Sequence, residues 1–188
     1  VYKNRMFMLD IINANNWERP VYFSGGAFGN EDYIWMKDYL QLDGTAYLLT
    51  PIYTPPTNER DPFDMGRVDP DRAYEIIKGW DWGNSGSPDI YHDVETRRNS
   101  VGYRSNVTRA ANALIEDSQL DKAKEILDLG MEKMPLEYFE HYSMIEPFVS
   151  GYYKIGATRE ARDLLNRVIL KYQDEIDFYK ALPAREQG

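Results

Sequence analysis

Apolar positions in the first part of the chain fall in short runs separated by glycine and proline. Residues 3–14 predict a helix whose apolar side chains are too many for one stripe, so we expect it to be an interior helix packed on more than one side. Pro20 cannot continue that helix, and the strand formers after it predict a short buried strand at 20–24. A helix over 31–40 and a second strand over 46–53 follow. Together these elements predict a small sheet of two or three strands.

The middle of the chain is rich in proline, aspartate and glycine. Residues 54–72 contain four prolines among many charged residues, which favours an extended surface connection. A short helix over 71–79 leads into a second loop, 80–88, in which two tryptophans flank an aspartate. We therefore predict a small α/β lobe at 1–66, followed by a connecting helix and loops at 67–93.

Helical periodicity dominates residues 94–188, and this segment repeats itself. Residues 116–127 align with 154–165 at an offset of 38 residues. Each copy has a short turn, a small alanine (Ala123 or Ala161) and then a pair of aliphatic residues. Small residues let helices approach closely, which is typical of tetratricopeptide-like hairpins, although the repeat is degenerate. The expected fold is α+β and predominantly α-helical, with the small sheet lobe packed on tetratricopeptide-like helical hairpins.

Composition excludes several classes of function. The chain of 188 residues is long enough for one domain or two small ones, and its net charge of −9 opposes binding to nucleic acid or to an anionic lipid surface. The absence of cysteine removes disulfides, thiol nucleophiles and zinc–thiolate sites. No apolar run reaches the roughly 18 residues that a membrane span requires. Because the chain starts at Val1 without an initiator methionine, we interpret it as a piece of a longer protein.

Three motifs invite a chemical interpretation, and each has a simpler one. Gly25–Gly29 follows a strand and opens a helix, as phosphate-binding loops do, but it lacks the full glycine spacing and is better explained as a structural turn. Asp81–Gly86 resembles a calcium loop but lacks two of the expected ligands, which favours a solvated acidic loop. Neither histidine, His92 or His141, has convincing partners for catalysis. We predict no catalytic residue, no metal site and no cofactor.

The aromatic residues are harder to assign to a core. Four tryptophans and fifteen tyrosines are more than a small core requires, and Trp17, Trp80 and Trp82 fall at element edges or in loops. Edge aromatics can stack on sugar rings or partner surfaces, although core packing is the simpler interpretation. The predicted ligand- or partner-binding residues are Trp17, Arg19, Trp80, Trp82 and Asn84.

Three segments carry a resemblance to a known family: Asn16–Phe23, Gln41–Leu49 and Trp82–Asn84. With the helical hairpins after them, they resemble the soluble C-terminal region of a bacterial multi-pass membrane family. That family is a domain of unknown function related to protein O-mannosyltransferases with the GT-C architecture. Its pattern has an acidic residue before the glycine of the second segment, here Asp43, and a basic residue after the tyrosine. This chain departs from the pattern at the latter position, where it has Leu48.

The resemblance implies a non-catalytic domain that faces the periplasm at the bacterial inner membrane. In such families the membrane portion uses lipid-linked sugar and carries the catalytic acid outside the region of this chain, so the parent protein could be a GT-C-type glycosyltransferase. The expected partners are the protein's own membrane domain and an acceptor protein or glycan. We expect no nucleic-acid partner, and contact with the membrane only through a covalent tether.

Two other functions stay open on the sequence. The main alternative is a free-standing helical-repeat module for protein interaction, without a connection to sugar. The weaker alternative is an independent hydrolase, since glycosidase-type chemistry needs only two carboxylates at a defined separation. A sequence cannot supply that separation.

Overall fold

The computed structural model of the chain describes residues 2–24, 33–55 and 65–182. The chain divides into two compact units, Val1–Asp81 and Trp82–Gly188. The fold is α+β and predominantly helical, as predicted, with a small antiparallel sheet. The domain boundaries expected from the sequence stay predictions.

Some expectations from the sequence fall outside the described residues. They are the glycine turn at 25–29, the start of the helix expected at 31–40, and residues 56–64 of the proline-rich connection.

The first unit contains a three-stranded sheet in the order β1–β3–β2. The strands are β1 (Tyr22–Ser24), β2 (Leu40–Asp43) and β3 (Ala46–Leu49). β2 and β3 form a tight hairpin, in which Gly44 has a φ of 65°, a conformation that favours glycine. The prediction of two or three strands is confirmed, while the expected strand at 46–53 ends early, at Leu49.

Two local predictions in this unit are wrong. The strand near 20–24 was expected to be buried, but β1 pairs only with β3 at the edge of the sheet and Tyr22 is 45% exposed. The helix expected up to residue 40 is instead a 3₁₀ helix, Ile34–Tyr39, because β2 already begins at Leu40 to pair with β3.

A compact apolar core lies around β2 and β3. Its buried members are Tyr33, Met36, Leu40, Leu42, Tyr47, Leu49 and Met65. Helix α2 (Pro70–Lys78) confirms the prediction at 71–79. Its first turn is well defined because Asp69 accepts a hydrogen bond from the Arg72 amide at 3.0 Å and Pro70 occupies the first helical position.

Helix α1 (Lys3–Asn15) is the largest departure from the predictions. It was expected to be an interior helix, but none of its residues is buried. Met8 and Ile12 are partly buried against the core of the first unit, while Phe7 and Ile11 are 67% and 64% exposed. The core of this unit therefore covers only part of the apolar surface of α1.

In its described residues the second unit contains five α-helices. They are α3 (Val94–Glu116), α4 (Leu120–Lys133), α5 (Leu136–Phe139), α6 (Glu146–Lys154) and α7 (Thr158–Ala181). α3 packs on α4 and α6 packs on α7, and α6 also contacts α3 and α4. The core contains Val107, Ala110, Leu114, Ile126, Leu127 and Phe148.

The repeat found in the sequence is also present in the backbone. After α3, the Gln119 amide donates to the Leu114 carbonyl at 2.8 Å; after α6, the Ala157 amide donates to the Tyr152 carbonyl at 2.9 Å. Each is the long hydrogen bond of a Schellman motif, which closes the end of a helix.

Equivalent positions in the two turns adopt equivalent conformations. Ser118 and Gly156 both lie in the left-handed region, with φ of 62° and 79°. The small residues that follow, Ala123 and Ala161, are both fully buried. The two helix–turn–helix units therefore repeat in structure, while their likeness to tetratricopeptide repeats stays a prediction.

Candidate functional site

A buried carboxylate at the end of β2 gathers several polar side chains of the first unit. Asp43 Oδ1 accepts a hydrogen bond from Gln41 Nε2 at 2.9 Å. Its Oδ2 accepts from Arg72 Nε at 2.8 Å and from the Tyr22 hydroxyl at 3.1 Å, and Arg72 Nη2 lies 2.7 Å from the same oxygen. The Asp43 side chain is only 4% exposed. We call these four residues the Asp43 network.

Three different elements position the Asp43 network. Gln41 and Asp43 are two residues apart on β2, so their side chains lie on the same face of the strand. Arg72 comes from the first turn of α2 and Tyr22 comes from β1. Arg72 Nη2 also donates to the Tyr22 hydroxyl at 3.1 Å. The network therefore joins β1, β2 and α2.

Charge pairing explains why the buried carboxylate is tolerated. A buried charge is costly unless it is paired and hydrogen-bonded, and here both carboxylate oxygens have donors. The hydrogen bond to Asp43 raises the pKa of the Arg72 guanidinium above its ordinary value. The Arg72 guanidinium therefore stays protonated at neutral pH.

This arrangement favours anchoring over acid–base chemistry. A general base needs a carboxylate oxygen that can reach the substrate proton, whereas both oxygens of Asp43 already accept hydrogen bonds within the unit. The parts of the network that reach solvent are the Tyr22 ring and the Arg72 side chain, which are about half exposed. A ligand at this surface would meet a hydroxyl group and a guanidinium.

Trp17 and Arg19 lie at the end of α1 and are exposed. Asn16 and Trp17 both adopt positive φ values, 45° and 60°. The left-handed conformation suits asparagine but is rare for a bulky residue, so the backbone at Trp17 is strained. The Asn15 side-chain amide donates to the Arg19 carbonyl at 2.7 Å and closes this turn. Strained backbone tends to cluster at functional sites, which makes this turn a candidate site.

Trp80, another predicted site residue, has a packing contact. It is half-buried, and a Cβ built on Gly44 would lie 3.3 Å from its Nε1 atom. The indole therefore packs against the turn between β2 and β3.

The Asp43 network and the exposed Trp17 both fall in the first 72 residues. Residues 1–72 match the family described as TMEM260-associated domain 2. This part of the chain is therefore similar to a domain linked to a membrane protein. Two segments of the family resemblance, Asn16–Phe23 and Gln41–Leu49, lie inside the matched region. No curated protein and no solved structure matches the chain.

Two further observations bear on the candidate chemistry. Within residues 2–24, 33–55 and 65–182, no helix is both long and apolar enough to cross a bilayer. In the same ranges, no three His, Asp or Glu side chains converge as metal ligands.

The other two predicted site residues lie beyond the TMEM260-associated match, in the second unit. The Trp82 ring is half-buried and lies 6.1 Å from the Tyr103 ring, centre to centre. Asn84 is exposed, and its carbonyl accepts a hydrogen bond from the Ser87 amide at 2.9 Å. Trp82 thus has an aromatic neighbour on α3, and Asn84 forms part of a tight turn.

The loop that carries Trp82 and Asn84 is hydrogen-bonded to the end of α4 and packs closely on it. The Ser85 hydroxyl donates to the Lys133 carbonyl at 2.8 Å. A Cβ at Gly86 would lie 2.3 Å from the Glu132 carbonyl oxygen, so only glycine allows this approach. The loop is therefore part of the packed surface of the second unit.

Sequence reasoning missed a buried arginine in this unit. Arg104 on α3 is fully buried; its Nη1 donates to the Glu140 carbonyl at 2.6 Å and its Nη2 to the Met134 carbonyl at 2.9 Å. Met134 is the C-cap residue of α4 and Glu140 is that of α5, so one guanidinium caps two helix C-termini. Burial lowers the pKa of Arg104 to about 10, and the side chain remains protonated at neutral pH.

The turn that Arg104 holds is strained. Glu140 has a φ of 53° and a ψ of −136°, a combination that glycine normally occupies. Its carboxylate pairs with Arg97 at 2.5 Å, while its carbonyl accepts from Arg104. His92 packs nearby, with its ring centre 4.3 Å from that of Phe139. Two arginines of α3 therefore keep this turn in place.

The sequence contains a signal for part of the Asp43 network and for the burial of Arg104. Gln41 and Asp43 have the alternation of a strand face, and Arg104 falls three and four residues before the buried Val107 and Thr108 of the same helix. No signal in the sequence indicates that Arg72 or Glu140 is the partner, because these contacts join residues 29 and 36 positions apart.

Proposed function

We propose that the chain is a non-catalytic domain of a membrane glycosyltransferase-like protein, and that it positions an acceptor protein, a glycan or a partner subunit. The domain would face the periplasm of a bacterial inner membrane and would be joined covalently to the membrane portion. The similarity of residues 1–72 to TMEM260-associated domain 2 supports the link to a membrane protein. The resemblance to the protein O-mannosyltransferase relatives supports the connection with sugar.

The exposed apolar surface of α1 is the observation that carries the proposal. A helix that is apolar on several sides is normally buried, yet only Met8 and Ile12 contact the core of the first unit. Phe7 and Ile11, one helical turn apart, form a separate exposed face. Covering each of these two side chains would contribute about 1.5–3 kcal/mol. In our proposal the parent's membrane domain covers this face.

The surface around Trp17 is the proposed place for an acceptor or glycan. Trp17 is exposed in a strained conformation and Arg19 follows it on the surface. An indole ring stacks on the apolar face of a sugar, and a guanidinium donates hydrogen bonds to its hydroxyl groups. The Asp43 network supports positioning over catalysis, since its carboxylate is almost fully buried and both of its oxygens accept hydrogen bonds within the unit.

Site-specific photo-crosslinking in the complete parent protein tests the docking of α1. A photoreactive amino acid at Phe7 or Ile11 is expected to crosslink to the parent's membrane portion. The matched control is the same amino acid at Glu75, an exposed position on α2 of the same unit, which should give no such product. Equal crosslinking at all three positions, or none at Phe7 and Ile11, would contradict the proposal.

A titration of the chain with mannose-containing glycans and acceptor peptides, followed by NMR, tests the positioning role. Saturable shifts of the Trp17 indole and Arg19 guanidinium signals are expected, and Trp17→Ala should abolish the shift of the Arg19 signal. Trp80→Phe, which alters a packing indole, is the control that should retain them. A flat response to every ligand at millimolar concentration would refute the glycan and acceptor roles.

The second candidate function is a free-standing helical-repeat module for protein interaction. The specific observation in its favour is the structural repeat of the two Schellman turns in the second unit, since stacked helical hairpins form extended binding surfaces. Crosslinking of α1 to an unrelated protein, with no product inside the parent, would favour this alternative.

A further inference from the structure

Helix α7 carries apolar side chains that the second unit covers only in part. Every residue from Tyr172 to Ala181 is exposed, which corresponds to roughly 15 Å of helix. Five apolar residues form one line along α7, and they are between 37% and 59% exposed. They are Leu165, Ile169, Tyr172, Ile176 and Tyr179, and we call this line the α7 seam.

The spacing of the α7 seam is that of a coiled coil. Successive members are four, three, four and three residues apart, which is the heptad pattern with Leu165, Tyr172 and Tyr179 at d and Ile169 and Ile176 at a. The side of α7 that faces its own unit carries the buried Ala161 and Leu164, and within the seam the Tyr172 ring also contacts the Tyr142 ring of the same unit edge-on, with 5.8 Å between ring centres. The seam is therefore a second apolar line on the same helix.

We propose that the α7 seam pairs with the α7 seam of a second copy of this chain, as a parallel, in-register two-stranded coiled coil. β-Branched isoleucine at a favours a parallel pair of two strands when leucine occupies d, as Leu165 does; Tyr172 and Tyr179 occupy the other two d positions. The interaction is self-complementary, so the same surface serves on both copies.

The charges beside the seam select a second copy in the parallel orientation. Glu175 occupies a g position and Lys180 the e position of the next heptad, which is the pair that meets between helices of a parallel coiled coil. The twofold symmetry forms this pair twice. An antiparallel pairing centred on Tyr172 would place Glu175 opposite Val168, with no ion pair. Within one helix Lys180 Nζ lies 3.9 Å from Asp177 Oδ1, and both side chains are largely exposed, so Lys180 can turn to a partner at little cost.

The pairing should be weak and depend on concentration. From Leu165 to Tyr179 the seam spans about two heptads, and short helices are marginal in isolation. A net charge of −9 on each copy also opposes association. We expect a dissociation constant of roughly 10–100 µM.

Sedimentation equilibrium of the 188-residue chain at physiological salt tests the pairing. The chain should approach the mass of a dimer above the expected dissociation constant, and Ile176→Glu should weaken association at least tenfold. Leu170→Glu is the matched control, because Leu170 is 58% exposed but lies off the seam; it should leave association unchanged. Circular dichroism checks that all variants stay folded. The proposal would be overturned if the unsubstituted 188-residue chain stayed monomeric at several hundred micromolar, or if the two variants changed the association equally.

Charge reversal tests the role of the flanking pair. Glu175→Lys and Lys180→Glu should each weaken association, and the double variant should restore it. Loss of association in the double variant would overturn the assignment of this pair.

The absence of cysteine allows a direct test of the orientation. In a parallel, in-register pair both Ile176→Cys and Tyr172→Cys form a disulfide between copies under mild oxidation. In the antiparallel pair centred on Tyr172, only the Tyr172→Cys variant does so. Crosslinking at both positions supports the proposal, whereas crosslinking at Tyr172 alone, or at neither, overturns it.

Discussion

Replacement of Arg104 by methionine should strongly destabilise the second unit. Methionine retains most of the apolar contact of the arginine stem but removes the donors to the Met134 and Glu140 carbonyls. A hydrogen bond from a charged donor contributes about 1.5–3 kcal/mol net of the desolvation of the guanidinium. Two short bonds therefore give an expected loss of about 3–5 kcal/mol, a large part of the 5–15 kcal/mol that typically stabilises a domain.

Urea unfolding of the complete chain, followed by circular dichroism at the helix band, is the assay for this loss. The helices α3–α7 lie in the second unit, so this signal reports mainly on that unit. Arg97→Met is the matched control, because Arg97 contacts the same residue, Glu140, through a partly exposed ion pair. Such pairs contribute about 0–1 kcal/mol.

Arg104→Lys separates charge from geometry. A lysine keeps the positive charge but has one ammonium group in place of the planar fork that reaches both helix ends. We expect Arg104→Lys to lower the free energy of unfolding by about 2 kcal/mol, which is less than the loss expected for Arg104→Met and more than that expected for Arg97→Met. If Arg104→Met changed the free energy of unfolding by no more than Arg97→Met does, the capping role of Arg104 would be refuted.

Three other predictions concern single contacts. Asp43→Asn should destabilise the first unit by about 2–3 kcal/mol in urea unfolding monitored by tryptophan fluorescence, because it removes the charge of a buried carboxylate that pairs with the half-exposed Arg72; no change would contradict the anchoring role. Gly86→Ala should cost about 2 kcal/mol or more because its Cβ would meet the Glu132 carbonyl, whereas Gly102→Ala, whose Cβ has no neighbour within 4 Å, should stabilise α3 by up to about 1 kcal/mol. Asp93 accepts a hydrogen bond from the Thr96 backbone amide at the start of α3, and this hydrogen bond lowers the pKa of the Asp93 carboxyl. The contribution of the Asp93 carboxylate to the free energy of unfolding is therefore present above about pH 4 and is lost as the pH falls through the lowered pKa. On acidification, the melting temperature of Asp93→Asn should therefore fall less than that of the unsubstituted chain.

Local sequence predicted the elements whose ends are set by nearby residues. Asp69 and Pro70 start α2 by capping and by a fixed φ, and both act within one turn. The repeat at Ser118 and Gly156 predicted two equivalent helix ends, and the Schellman bonds that form them span only six residues. These features depend on short-range geometry.

The wrong predictions concern elements whose state depends on distant partners. β2 was missed because the apolar residues up to Leu40 follow helical spacing, which predicted a helix to that residue. The pairing of Leu40–Asp43 with β3 outweighs this local preference. α1 was expected to be an interior helix because it is apolar, but the amount of burial depends on how much apolar surface the rest of the unit offers. A sequence pattern states which side chains favour burial, not what is available to cover them.

The sequence by itself determined the fold class, the repeat in the second unit and the apolar character of α1. Only the tertiary structure decided that Asp43 pairs with Arg72, that Arg104 caps two helices, and that Trp17 is exposed while Trp80 packs on a turn. The physical reason is the range of the interactions. Periodicity and capping act over a few residues, whereas the pairing of a buried charge and the exposure of an aromatic ring depend on which distant segments the fold brings together.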